Sequence, residues 1–173
     1  AAMREHSFAT LTTTGADGAP LATHLPVVVS DRDAAVTLHF HLARANPHVA
    51  LLREGRPSMM AFLGPHAYLS PTVYPDRKRV PTWNYIAVHA YGTVEEIVEP
   101  ARKDALLKSL IALHEPSYAQ QWMDLDAQFQ ETMLGAIAAF RMTVTALQGK
   151  FKLNQHRREA HAAMKAGYSA GTP

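Results

Sequence analysis

A chain of 173 residues is long enough for one sizeable hydrophobic core and too short to make two domains the default, so a single domain over 1–173 is expected. Hydrophobic residues make up 47%, the formal net charge is a mild +2, and the Lys and Arg are scattered, which leaves no strong nucleic-acid footprint. The absence of cysteine excludes disulfides, thiolate catalysis and Cys-bearing zinc or iron–sulfur sites and suits a cytoplasmic location, no apolar run approaches the roughly 18–20 residues of a membrane helix, and the opening AAMREHSFATL has no signal-peptide pattern.

The first half of the chain reads as short strands separated by turns. SFATLTTT (7–14) and LATHLPVVVS (21–30) flank GADGAP, whose Asp17-Gly18 pair supplies a residue that tolerates positive φ, so a hairpin is expected there. Pro26 marks an edge or a bulge, because proline has no N–H to give to a ladder. SDRD (30–33) reads as a turn, and AAVTLHFHLA (34–43) alternates Val36, Leu38, Phe40 and Leu42 against Thr37, His39 and His41. In NPHVALLREG (46–55) Asn46 can cap, Pro47 suits the first helical turn and Gly55 stops a short helix. SMMAFLG (58–64) is a further strand.

VPTWNYIAVHAYGTVEEI (80–97) alternates unusually. Ile86, Val88, Ala90, Gly92 and Val94 form one apolar face, while Trp83, Tyr85, His89 and Tyr91 point the other way, and such rings imply a cover of protein, cofactor or both. The period then changes. PARKDALLKSLIALHE (100–115) is an amphipathic helix, and SYAQQWMDLDAQFQETMLGAI (117–137) repeats Tyr118, Trp122, Leu125, Phe129, Met133 and Ile137 at steps of three or four, with Ser117 and Gln120 as a capping box and Trp122 and Phe129 in the core. Strands return at 138–147 and 150–153, and a polar helix at about 155–166 closes the chain. Mostly antiparallel strands with a helical pair at about 100–137 indicate an α+β fold built on a small barrel.

Several standard sites are missing: no glycine-rich dinucleotide fingerprint, phosphate loop, nucleophile elbow or zinc helix occurs. His39 and His41, two apart on one strand face, make at most half of a metal site, and hydrogen-bonded or cofactor-lining histidines are the better reading; no metal is expected and no catalytic residue is identified by spacing. Four polar clusters remain at element edges: THLP (23–26), HLARANP (41–47), PTWNY (81–85) and KLNQHR (152–157). Arg44 beside the helix start at Asn46 suits an anion, and a flat heterocycle would use Trp83 or Tyr85 for stacking and Asn84 or Thr82 for its polar edge. The same residues also read as a solvated charge and a packing corner, and on residue chemistry alone that bland reading is slightly ahead.

In this order, ATHLP, HLARANP, GPHAYLSP, VPTWNYIAVHAYG and KFKLNQHR resemble the PaiB family of FMN-binding split-barrel proteins, often labelled negative transcriptional regulators, and the resemblance runs from Phe8 to about Arg158. The chain departs from the family pattern at Phe40, where Gly is usual, and at Asn154 and His156, where Ser and Asn are common. The resemblance implies a six-stranded antiparallel split barrel with peripheral helices that forms a homodimer with FMN at the subunit interface. By position it assigns Arg44 and Asn46 to the FMN phosphate and His24, Leu25 and His41 to the pocket lining. Thr82, Trp83, Asn84 and Tyr85 fall to the ring or ribityl chain, with Lys152, Asn154 and Gln155 reaching in from the C-terminal strand. Function is then flavin-dependent redox chemistry or flavin sensing linked to transcription. The alternatives are a transcriptional regulator without redox catalysis, for which direct DNA binding has only the HRREAHAAMK segment (156–165) to rest on, and a haem-binding split-barrel protein with His24, His39, His41 or His89 as axial ligand.

Overall fold

A computed structural model describes residues 1–31 and 35–171. The expected turn at 30–33 and the first residue of the expected strand at 34–43 lie partly outside the described residues. A short helix α1 (Ala2–Glu5), which the sequence reading did not anticipate, precedes the hairpin of β1 (Phe8–Thr14) and β2 (Pro20–Pro26). These strands pair antiparallel from Phe8↔Pro26 to Thr14↔Pro20. The turn is closed by Gly18 at φ +83°, a conformation only glycine adopts without strain, and by the Asp17 carboxylate accepting the Ala19 N–H at 3.0 Å.

Next come β3 (Val28–Ser30), β4 (Thr37–Ala43), α2 (His48–Arg53), β5 (Ser58–Leu69) and β6 (Thr82–Ile97). The helical insertion α3 (Pro100–His114), α4 (Ala119–Asp124) and α5 (Ala127–Gly135) follows, then β7 (Ile137–Lys152) and α6 (His161–Ser169). The strands form one sheet in the order β2-β1-β5-β6-β7-β4-β3, and the fold is α+β, an antiparallel sheet with peripheral helices.

Among the described residues the sheet has seven strands where six are expected. Residues 21–30 read as one strand, but Pro26 ends the ladder with β1, Val27 gives its N–H to the Ser7 carbonyl at 2.9 Å, and the chain continues as β3 against β4. The two edge strands of the order are therefore separated in the chain by Val27 alone. Conversely, the strands expected at 138–147 and 150–153 are one, because Gly149 stays extended within β7. The helix expected over 117–137 is broken: Asp126 accepts the Phe129 N–H at 2.9 Å and starts a new helix, while no side chain caps α4. The break turns the apolar stripe, so Trp122 is buried and gives its indole N–H to Asp104, whereas Phe129, expected in the core, is 44% exposed. The C-terminal helix starts later than expected, after a 3-10 turn over Arg158–Ala160.

The described residues divide into two compact units, Ala1–Phe62 with His89–Leu147, and Leu63–Val88 with Gln148 onward. In the first, alternate residues of the strands supply a fully buried core of Leu11, Leu38, Phe40, Met60, Phe140 and Met142. Phe40 and Phe140 face each other across the β4–β7 ladder with ring centroids 5.7 Å apart. Leu106 and Leu110 of α3 cover Ile97 and Ala139 in a further cluster. The second unit has a smaller core of Leu69, Ala160 and Met164, against which Val73 and Tyr74 pack. Tyr74 carries Arg79 and Arg157 over its ring at 5.2 and 5.6 Å, and Asp76 pairs with Arg79 at 2.7 Å.

Candidate functional site

The residues assigned to the cofactor above fall into two groups, one in each compact unit. The first group is set by β2, β4 and the turn into α2. Strand alternation sends Leu38, Phe40 and Leu42 into the core and leaves Thr37, His39 and His41 half-buried on the opposite face. The departure at Phe40 therefore lies inside the core, away from the histidine face. His41 has a buried Nδ1 without a hydrogen-bond partner, and burial holds its imidazole below the usual histidine range. His39 is likewise depressed, by burial first and then by Arg141 and Arg102, and its Nε2 lies 3.1 Å from the Thr37 hydroxyl.

Arg44 follows β4 in the turn toward α2 and is exposed. Its Nε donates to the Gly135 carbonyl at 2.7 Å and an Nη to that of Ile137 at 3.3 Å, which ties the turn to the start of β7 and leaves the guanidinium with donors to spare. Asn46 accepts the His48 backbone N–H at 2.9 Å through its side-chain oxygen, an Asx turn one residue ahead of the helix N-cap, which is Pro47 and not Asn46 as expected, and keeps its amide N–H groups. His24 is exposed and stacks beside Phe8 at 6.4 Å, whereas the Leu25 side chain is buried in the core.

Sequence reasoning passed over His48. Its ring is fully buried, Nδ1 lies 2.9 Å from the Thr23 hydroxyl, Nε2 has no partner, and burial depresses its pKa. The only trace of it in the sequence is the Thr of ATHLP and the His two residues after Asn46, a pairing between β2 and α2 that no spacing announces.

The second group lies on β6 and the end of β7. Asn84, Val88, Ala90, Gly92 and Val94 are buried, and the odd-numbered face carries Trp83, Tyr85, His89 and Tyr91, as the alternation predicts; Ile86 is only half-buried. Trp83 is 51% exposed and is flanked by His66 at 5.9 Å and, edge-on, by Tyr68 at 6.2 Å. The two flanking rings belong to GPHAYLSP, where their spacing of two was legible but their neighbour was not. The sequence ended this strand at 64; it runs to Leu69.

Asn84 gives Nδ2 to the Tyr168 hydroxyl at 3.0 Å, and its buried Oδ1 has no partner. Lys152 Nζ reaches the Thr82 hydroxyl at 2.5 Å. Gln155 is spent on the backbone, accepting the Leu153 N–H and donating to the Phe151 carbonyl. Asn154 sits at φ +57°, the left-handed region that Asn enters more readily than Ser, and its Nδ2 points at the Met164 sulfur at 3.3 Å. That conformation is a physical reason for the departure at this position. Thr82, Asn84, Lys152, Asn154 and Gln155 line one groove of about 300 Å³.

Chemically, the first group offers a cation with free N–H donors and amide hydrogens suited to an anion, and the second an aromatic face, an unpaired amide oxygen and an ammonium suited to a flat polar heterocycle.

Residues 1–146 match the family model described as "Putative FMN-binding domain". The chain is 35% identical over 162 residues to "Protease synthase and sporulation protein PAI 2" of Bacillus subtilis, covering 91% of this chain and 75% of that one. Among solved structures it is similar to the flavocytochrome Anf3 of Azotobacter vinelandii, with a TM-score of 0.67 at 15% identity over 87% of this chain and 64% of that one. It is also similar to the FAD- and haem-binding protein of Mycobacterium smegmatis, with a TM-score of 0.62 at 19% identity over 87% of this chain and 67% of that one.

Proposed function

Because the chain belongs to the PaiB family of split-barrel proteins, whose domain model is the FMN-binding one, we propose that it binds FMN and works as a homodimer with the cofactor at the subunit boundary. The observation that carries the reading is a buried polar atom without a partner, His41 Nδ1, on one of the residues assigned to the cofactor. A buried polar group left unpaired costs about 1–3 kcal/mol, and a ligand that pairs it removes that cost. Arg44 with Asn46 would take the phosphate. Trp83 and Tyr85 would lie against the ring, and Asn84, Thr82 and Lys152 would meet its polar edge or the ribityl chain. When bound, FMN supplies reversible electron or hydride transfer, while the chain's own residues bind, orient and limit access.

The homodimer draws support from β7. From Thr145 to Lys152 every residue of this strand is exposed, including Leu147 and Phe151, and a strand open on both faces, beside an exposed Trp83, asks for a cover. A role in transcription would then be indirect, because the compact basic segment 156–165 is split between a 3-10 turn and the start of α6.

The test is the visible spectrum of the purified protein before and after FMN, together with sedimentation at micromolar concentration. Saturable flavin absorbance shifts in a dimer are expected. A monomer that leaves the flavin spectrum unchanged overturns the proposal, and a Soret band on haem titration without a flavin response moves the assignment to haem.

A further inference from the structure

The second unit contains a cavity of about 350 Å³ that shares Asn84, and no other residue, with those assigned to FMN. Its walls are mostly apolar, built by Pro65, Ala67, Leu153, Met164 and the Tyr168 ring, and the one buried polar side chain without a full set of partners in it is Asn84. Asn84 is 6% exposed; Tyr168 satisfies the nitrogen end of its amide at 3.0 Å and leaves the oxygen end unpaired. A buried amide oxygen needs a donor, and among the described residues the fold supplies none at that place. The same amide also lines the groove assigned to the cofactor, so one residue is common to both hollows.

We propose that this cavity takes a second small molecule, an apolar ring compound of the phenol class that donates its O–H to Asn84 Oδ1. The size argues for a compact ligand, since pockets for drug-sized molecules run from about 300 to 1,000 Å³ and this one is at the lower end. The walls argue for an apolar body, because burying ring carbons there removes them from water without stranding a polar atom. The charges argue against a cation: no Asp or Glu is among the residues lining the cavity, whereas His66, His161 and Lys165 are. His161 is already engaged, its Nε2 lying 3.1 Å from the Asn154 carbonyl, which leaves Asn84 as the buried acceptor that selects the ligand. A methyl ether of the same ring would fill the space and leave the amide oxygen unpaired, so the hydroxyl sets the preference.

The experiment is a calorimetric titration of the full chain, free of flavin, with 2-naphthol and with its methyl ether, followed in parallel by the Asn side-chain amide resonances. Expected is saturable binding of 2-naphthol roughly tenfold or more tighter than the ether, with the Asn84 amide resonance shifted. Asn84→Leu is expected to bring the two affinities together. Ala67→Phe fills the cavity, and its expected effect is to abolish 2-naphthol binding while the FMN titration stays at the wild-type value; this variant carries the test if Asn84→Leu does not fold. Equal affinities for naphthol and ether in the wild type, or an Ala67→Phe protein that binds naphthol normally, overturns the proposal. Loss of FMN binding with naphthol binding intact counts against the flavin assignment alone.

Discussion

Replacing Arg44 by alanine separates the two things this side chain is asked to do. Its bonds to the Gly135 and Ile137 carbonyls, at 2.7 and 3.3 Å, are within the protein, and losing them is expected to lower stability by about 1 kcal/mol each. Its remaining donors are those assigned to the FMN phosphate, and a charge-assisted hydrogen-bonded contact of that kind is worth about 1.5–3 kcal/mol, or roughly 10- to 150-fold in Kd. Riboflavin, the same molecule without its phosphate, isolates that second contribution. In titrations read by quenching of flavin fluorescence at fixed ionic strength, the wild type should prefer FMN to riboflavin, and Arg44→Ala should erase most of the preference while weakening riboflavin little. Arg44→Lys should fall between, since an ammonium restores charge but not the fork geometry. A ratio of FMN to riboflavin affinity that survives Arg44→Ala unchanged would refute the phosphate assignment, whatever happens to stability.

Gly92→Ala tests the core: a Cβ at that position would stand 2.1 Å from the Thr143 carbonyl oxygen and 3.0 Å from Met142 Cγ, so the β6–β7 backbone must separate, and a loss of about 3 kcal/mol or more in urea unfolding is expected, with a loss below about 1 kcal/mol contradicting the packing. Burial holds His39, His41 and His48 below the ordinary histidine pKa of 6.5 in the folded state, so the unfolded chain binds more protons in the range just under it. Their contribution is complete above pH 6.5 and is lost as the pH falls through the lower folded values, by up to about 1.4 kcal/mol per pH unit for each ring. Urea midpoints should therefore drop between pH 7.5 and 5.5, and a flat profile would count against the burial of these rings. Trp83→Ala combined with Phe151→Ser should weaken self-association by roughly 30-fold or more in sedimentation equilibrium, and unchanged association would place the subunit boundary elsewhere.

The alternating patterns carried most of what was legible in the sequence. The hairpin at Asp17-Gly18, the buried face of β6 and the inward set of β4 follow from side-chain period and turn chemistry, both local properties. What the pattern did not carry depends on distant partners. Proline at 26 was visible as an interruption, but that it hands the chain from one edge strand to another is a fact about the ladders formed by β1 and β4. Phe40 was visible as a departure from the family pattern, but its role in the core depends on Phe140, which lies opposite it a hundred residues on. His48 and Tyr168 have no signal of their own; they matter because Thr23 and Asn84 reach them from segments far away in the chain.

The pairing of β4 with β7 has a consequence for how the protein is made. Every rung from Thr37↔Thr143 to Ala43↔Ile137 joins segments on either side of β5, β6 and the whole helical insertion, so the ladder cannot close until the ribosome has delivered β7. During synthesis the nascent chain must carry Leu38, Phe40 and Leu42 uncovered for most of its elongation, which makes β4 the segment a chaperone would be expected to shield.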